Sequence, residues 1–286
     1  MNHPPVLIVG MHRSGTTALS QVLDRLGLFS GCYKPFQNEA AFFRGLNVWI
    51  FRQCGTTWEN PEPVRRLWEG AAVRSAAEEY VRCVLRSPRI VSYLGVRKYL
   101  RYRSLFRLRQ PWSWKDPRNT FTLPLWLDVF PDARVIHVLR NGVDVAESLR
   151  VRTHKALAHR RAKLGTRGLR TLLHYLSWRQ RGSFPTLRCS SLSGGFSLWE
   201  EYCDEATGHV RRLGERARQI RYEDLLDRPA DHIASLAEFC GLSASHAEVL
   251  DASRILRPER AYAYKRQETL TSFANEVSCR LVRHGY

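Results

Sequence analysis

The sequence predicts an α/β protein built on a doubly wound parallel sheet flanked by helices. Three observations carry the prediction. A wholly apolar run, Val6-Leu7-Ile8-Val9, stands near the start, as a strand buried on both faces requires. A polar turn, Gly10 to Gly15, follows, and then Thr16 to Leu26 sets Leu19, Val22, Leu23 and Leu26 at helical spacing before Gly27 stops it. The same alternation of strand, turn and helix returns twice further along the chain.

The second unit of this kind sits mid-chain. Trp112–Asp116 reads as a short strand and Pro117 to Val129 as a helix ended by Phe130-Pro131. Arg134 to Leu139 is a strand, Asn141-Gly142 turns, and Val143 to Leu149 begins another helix. The third runs from a strand around Gln219–Tyr222 through Pro229 to a helix over Asp231–Cys240, capped by Gly241. Between them, 150–199 holds eleven Lys or Arg and no Asp or Glu, with leucines that suggest helices and a loop expected over Ser190–Gly195.

Composition sets bounds. A chain of 286 residues with 44% hydrophobic content supports one large domain, 1–286, with 150–199 as a basic helical insertion or lid. A net charge of +18 favours anionic partners: nucleotides, nucleic acid, acidic glycans or acidic membranes. Seven scattered cysteines with no C-x-x-C pair disfavour zinc and thioredoxin chemistry and suit a reducing, cytoplasmic setting. No signal peptide or membrane span is expected, because no apolar stretch is long enough.

The first turn carries chemistry. Gly10-Met11-His12-Arg13-Ser14-Gly15-Thr16-Thr17 approaches the nucleotide-binding P-loop, G-x-x-x-x-G-K-[ST]. Loop N–H groups and a helix N-terminus converge there on a phosphate. Thr16 stands where an NTPase has lysine, and the cation comes earlier, at Arg13. The strand 134–139 ends in Leu139-Arg140 and lacks the acidic residue that would help hold magnesium. The loop is therefore suited to a phosphate without a metal.

At these residues the sequence resembles the sulfotransferases that use 3′-phosphoadenosine 5′-phosphosulfate (PAPS). Arg13-Ser14-Gly15-Thr16-Thr17 fits their 5′-phosphosulfate loop. Arg140 at a strand end, with Ser148 eight residues on, fits their grip on the 3′-phosphate, where a forked cation and a helix hydroxyl suit a dianion. Arg221-Tyr222-Glu223-Asp224-Leu225 is similar to a third family segment and adds Tyr222 to the donor site. The resemblance spans about 5 to 242 and implies a sheet of the P-loop NTPase-like type. It also implies sulfuryl transfer to an acceptor hydroxyl or amine, with PAPS as donor and 3′,5′-bisphosphoadenosine as product; among acceptors a glycan or small molecule is favoured, with a peptide tyrosine still open.

For such chemistry Arg13 is the candidate cation beside the phosphosulfate. Trp114-Lys115-Asp116-Pro117 resembles the Lys-Asp-Pro segment of tyrosylprotein and related sulfotransferases, which makes Lys115 a second. That branch uses a glutamate after the first helix, and Glu39 lies in that region, among neighbours able to raise its pKa. Asp116 is a rival base. His137, inside an apolar strand, reads as a core histidine, and Trp49, Trp58 and Trp68 as core or pocket walls. The basic run 150–199 reads as lid plus solvated face in preference to a nucleic-acid site. Arg260 to Arg266 is placed late enough to fold back over the nucleotide. The rival reading is a P-loop nucleotide-binding protein or small-molecule kinase.

Overall fold

A computed structural model describes residues 3–165 and 187–286. The basic positions Arg167, Arg170, Arg179 and Arg181 of the predicted insertion lie outside the described residues. In chain order the regular elements begin with β1 Val6–Val9, α1 Thr16–Arg25, α2 Ala41–Gln53, α3 Arg66–Glu69, α4 Ala71–Arg86 and α5 Val91–Tyr102. Next come β2 Ser113–Lys115, α6 Asn119–Val129, β3 Arg134–Leu139, α7 Gly142–Gly165 and α8 Leu192–Leu213. Then follow β4 Ala217–Arg221, α9 Tyr222–Asp227, α10 Pro229–Phe239, α11 His246–Ser253, α12 Glu268–Glu276 and α13 Ser278–Arg283.

The chain divides into two compact units. One comprises Met1–Arg140 with Glu201–Tyr262, the other Asn141–Glu200 with Ala263–Tyr286. The first holds a four-stranded, all-parallel sheet in the order β2-β1-β3-β4. The chain leaves β1 toward β2, then crosses back to β3 on the other side of β1. Strand order therefore reverses at β1, the place where open α/β sheets form a ligand crevice beyond the strands' carboxyl ends.

The run Val6–Val9 is buried along its whole length, as its unbroken apolar sequence requires. On one side of the sheet, Ile8, Ile136 and Val138 pack with Leu19, Val22 and Leu23 of α1, Leu225 of α9, and Ile233 and Leu236 of α10. Emptying one such position, as in Ile8→Ala, costs about 2–5 kcal/mol. Elsewhere in the same unit Phe43 stacks on Trp114 with centroids 4.1 Å apart, and Trp126 meets Trp114 edge-on. His137 is buried with Nδ1 3.0 Å from Gln219 Oε1, as a core histidine should be.

Pro124 lies inside α6 and has no N–H to give the Thr120 carbonyl one turn back. His209 Nε2 reaches that carbonyl at 2.8 Å, and Thr120 Oγ1 accepts from the N–H of Gly10 at 3.2 Å. The helix that a proline would weaken is thereby tied to the loop after β1.

In the second unit, α8 begins at Leu192, so the loop expected over Ser190–Gly195 is instead a short 3-10 turn, Leu187–Ser190, and the first turn of a helix. The glycines there signal close packing, not irregular backbone. A Cβ on Gly194 would lie 2.0 Å from the Arg188 carbonyl oxygen, and one on Gly195 would press on Ala146 at 3.2 Å. The described flanks of 150–199 are continuous with longer helices, α7 and α8. Among the described residues no helix is long and apolar enough to cross a membrane.

Candidate active site

The carboxyl ends of all four strands meet at one cleft of about 370 Å³ in the first unit. The loop after β1 supplies His12, Arg13, Gly15, Thr16 and Thr17. Lys115 closes β2, Arg140 follows β3 and Tyr222 follows β4. Arg257 and Arg260, from the segment after α11, complete a set of five cations. No acidic residue among the described residues lines the cleft.

The loop has the backbone an anion needs. Gly10 and Gly15 take φ of 131° and 96°, and Arg13 takes 72° despite its side chain. A non-glycine residue in that region costs on the order of 1–2 kcal/mol and persists where the surroundings hold it. Gly15 is the N-cap of α1, no side chain caps that terminus, and no acidic residue sits in its first turn. The positive end of the helix dipole and its N–H groups are left for a ligand. A Cβ on Gly15 would lie 2.2 Å from the Tyr222 ring, so only glycine lets the ring close against the loop.

Arg140 clasps the two ends of the cleft. Its Nη1 donates to the carbonyl of Arg13 at 3.1 Å and its Nη2 to the carbonyl of Arg260 at 2.9 Å, while its guanidinium lies 5.3 Å from the Tyr222 ring centre. Burial raises the Tyr222 pKa, against the nearby charges of Arg140 and Arg260, so the phenol stays protonated. Thr16 and Thr17 line the cleft, and Thr17 Oγ1 donates to the Gln37 carbonyl at 3.2 Å. Ser14 faces inward: its hydroxyl donates to the Met11 carbonyl at 2.6 Å and braces the loop. Ser148 lies on α7, in the second unit.

Glu39 is buried beside Lys115, Oε1 to Nζ 3.3 Å, and its other oxygen is 3.3 Å from Arg44 Nε. Burial, then the charge of Asp116, raise the Glu39 pKa and outweigh the pull of Lys115 and Arg118. Burial lowers the Lys115 pKa against the pull of Glu39 and Asp116. The two therefore sit closer to mutual proton exchange than a surface pair would.

Asp116 is committed elsewhere. It is fully buried, its Oδ1 accepts from the backbone N–H and Nη1 of Arg118, both at 2.9 Å, and its Oδ2 accepts from Asn47 Nδ2 at 3.0 Å. The Asn47 amide also donates to Asn119 Oδ1, and its carbonyl accepts from Thr122 Oγ1 and Trp126 Nε1 at 2.8 and 2.9 Å. Asp116 thus spends both oxygens on structural hydrogen bonds, whereas Glu39 touches Lys115, which lines the cleft. Asn47, Arg44, Arg118 and Arg257 were not singled out from the sequence. The one available signal was Asn47, a lone amide amid the apolar positions of α2.

Of the three predicted tryptophans, Trp58 meets His12 edge-on with ring centroids 4.5 Å apart, at the rim of the loop. Trp49 stacks on Tyr80, and Trp68 is half-buried. Among the described residues, no group of three His, Cys, Asp or Glu is placed to hold a metal ion.

Residues 4–246 match the profile of the Sulfotransferase family. Among solved structures, the chain is similar to a sulfotransferase from Alicyclobacillus acidocaldarius at 19% identity and a TM-score of 0.50, with 98% of this chain and 95% of that one covered. It is also similar to the sulfotransferase domain of the curacin biosynthetic pathway at 16% identity and a TM-score of 0.49, covering 97% and 99%. At 19% identity the likeness to the Alicyclobacillus acidocaldarius structure concerns the fold. No curated protein sequence matches the chain closely enough to count as a relative.

Proposed function

The chain belongs to the sulfotransferase family, and we propose that it moves a sulfuryl group from PAPS to a hydroxyl or amine of a glycan or small-molecule acceptor. The observation that carries the reading is the cleft itself, where five cations and an uncapped helix N-terminus converge with no carboxylate among the lining residues. A donor with three anionic groups suits that lining. The absence of lysine at Thr16 and of an acid at the end of β3 argues against a magnesium-dependent kinase.

In this reading the N–H groups of the loop, with Thr16 and Thr17, hold the 5′-phosphosulfate. Arg140, with Arg257 and Arg260, holds the 3′-phosphate, and the family resemblance assigns Ser148 to the same group. Tyr222 walls the nucleotide side. Glu39 takes the acceptor's proton as the acceptor oxygen or nitrogen bonds to sulfur and the sulfur–oxygen bond to the 5′-phosphate breaks. Lys115 and Arg13 neutralise the charge that gathers on the departing phosphate oxygen. Charge stabilisation and alignment supply most of the rate in such in-line transfers.

The test is thermal stabilisation by 3′,5′-bisphosphoadenosine compared with ATP–magnesium, in wild type and Arg140→Ala. A ligand that binds only the folded state raises its Tm. A shift with the bisphosphate that Arg140→Ala abolishes supports the donor assignment. A shift with ATP–magnesium alone overturns it in favour of a kinase.

A further inference from the structure

We infer that the segment 86–110 forms a surface that docks the protein on an anionic lipid bilayer. The segment holds eight Lys and Arg and no Asp or Glu. Among the described residues none of the eight forms an ion pair, whereas Arg65, Arg74, Arg82, Arg150 and Arg280 all do. Unpaired cations keep their full field for an outside partner.

Three of them, Arg97, Lys98 and Arg101, surround a cavity of about 200 Å³ with Tyr102 and Gln110. A pocket lined by three cations, a phenol and an amide matches a phosphate headgroup in charge and in hydrogen-bond donors.

The apolar side chains on the same two turns select lipid over a soluble polyanion. Gly95, at φ 70° and ψ 161°, interrupts α5, and the piece beyond it carries Val96 and Leu100, 66% and 59% exposed, one helical turn apart. A lone exposed valine or leucine needs no explanation. Two at i and i+4, beside Arg97 and Arg101 at i and i+4, make a short amphipathic face of the kind that lies in a bilayer interface. Water gains nothing from that face, and a sulfated glycan or nucleic acid has no use for it.

The surface is distant from the cleft in the fold. Lys98 lies over the Phe29 ring at 4.7 Å, and Phe29 bridges to Trp112 just before β2. That is the amino end of the strands, and the cleft opens at the carboxyl end. Docking therefore leaves the cleft free, and the inference does not rest on the donor assignment.

The experiment is flotation of the full chain with vesicles of phosphatidylcholine containing ~30 mol % phosphatidylglycerol, against phosphatidylcholine alone. Wild type is expected to float with the anionic vesicles only. Each cation near such a surface strengthens binding about fivefold, so the triple variant Arg97→Gln, Lys98→Gln, Arg101→Gln should bind about a hundredfold more weakly. The double variant Val96→Ser, Leu100→Ser should bind about tenfold more weakly with every charge in place. All these side chains are at least partly exposed, and an unchanged Tm confirms that both variants fold. No flotation of wild type, or flotation of the triple variant equal to wild type, overturns the inference. So does a double variant that floats like wild type, particularly if heparin binding by the triple variant is lost, because a soluble polyanion is then the partner.

Discussion

Two basic regions of one compact unit treat their cations in opposite ways. Around the cleft, Arg140 is clasped by two carbonyls and a ring, and Lys115 is buried against Glu39. Along 86–110 the cations have no acidic partner and mostly face water. Fixed cations are ready to meet charge that develops at a defined point, at no cost of reorganisation during the reaction. Free ones act through a field, which attracts partners but orients little, and salt screens it over about 10 Å. The contrast predicts large, geometry-dependent losses at the cleft and small, salt-dependent ones at the patch.

The largest loss is expected at the buried pair. Lys115→Ala should lower kcat by about 10²–10³ with little change in donor affinity, and Glu39→Gln by about 10²–10⁴. The pH profile separates their roles. Glu39 must be ionised to accept a proton and its pKa is raised by burial, so activity should fall on the acid side at a higher pH than an ordinary glutamate gives. Lys115 must be charged and its pKa is lowered by burial, so activity should fall on the alkaline side earlier than an ordinary lysine gives. The bell is narrowed from both sides. In Glu39→Gln the acid limb should vanish from the residual rate, and a limb that persists unchanged would move the base elsewhere.

Arg140→Ala comes next. It removes two hydrogen bonds that join the loop to the segment after α11, together with the forked cation. The expected effect is a 10- to 100-fold rise in the donor KM with a smaller change in kcat, read by initial rates at varied donor. Arg140→Lys should rescue little, because one ammonium does not replace a fork that reaches two carbonyls.

Much of this was legible in the sequence where chemistry is local. Strand, loop and helix at 6–26 follow from an apolar run, two glycines and leucine spacing, and Arg140 was marked by its place at a strand end. Lys115 and Glu39 were named singly, but their contact joins residues 76 positions apart and has no local signature. Asn47 illustrates the limit. Its value lies in four partners, Asp116 in the turn after β2 and Asn119, Thr122 and Trp126 in α6, and one-dimensional spacing carries no trace of that convergence. The loop expected at Ser190–Gly195 failed for a related reason, since tertiary packing chose glycine there for closeness and overrode its low helix propensity. The patch at 86–110 was overlooked beside the more conspicuous charge run at 150–199. Exposure, not composition, set it apart.

Gly15→Ala is expected to have a moderate effect on stability. The added methyl meets the Tyr222 ring at 2.2 Å in a backbone conformation that alanine resists, for a combined loss of about 2–4 kcal/mol by denaturant unfolding. Tyr222→Ala in the same chain should recover the steric part and leave the backbone part. Additive losses in the double variant would mean that the ring and the glycine do not share that contact.

The smallest effect is expected at the patch, and it sharpens the comparison most. The Arg97, Lys98, Arg101 triple variant should change stability by no more than ~0.5 kcal/mol, because it removes no ion pair and no deeply buried side chain. Its kcat on a soluble acceptor should match wild type, and any change in donor KM should disappear as salt is raised, as expected of a field acting at a distance. A loss of several kcal/mol would mean that the cations hold the fold after all, through Lys98 over Phe29 and Arg101 over Tyr102. A salt-independent loss of kcat would mean that the patch acts on the cleft through structure. Either result would erase the distinction between clasped and free charge, since the two regions would then use their cations in the same way.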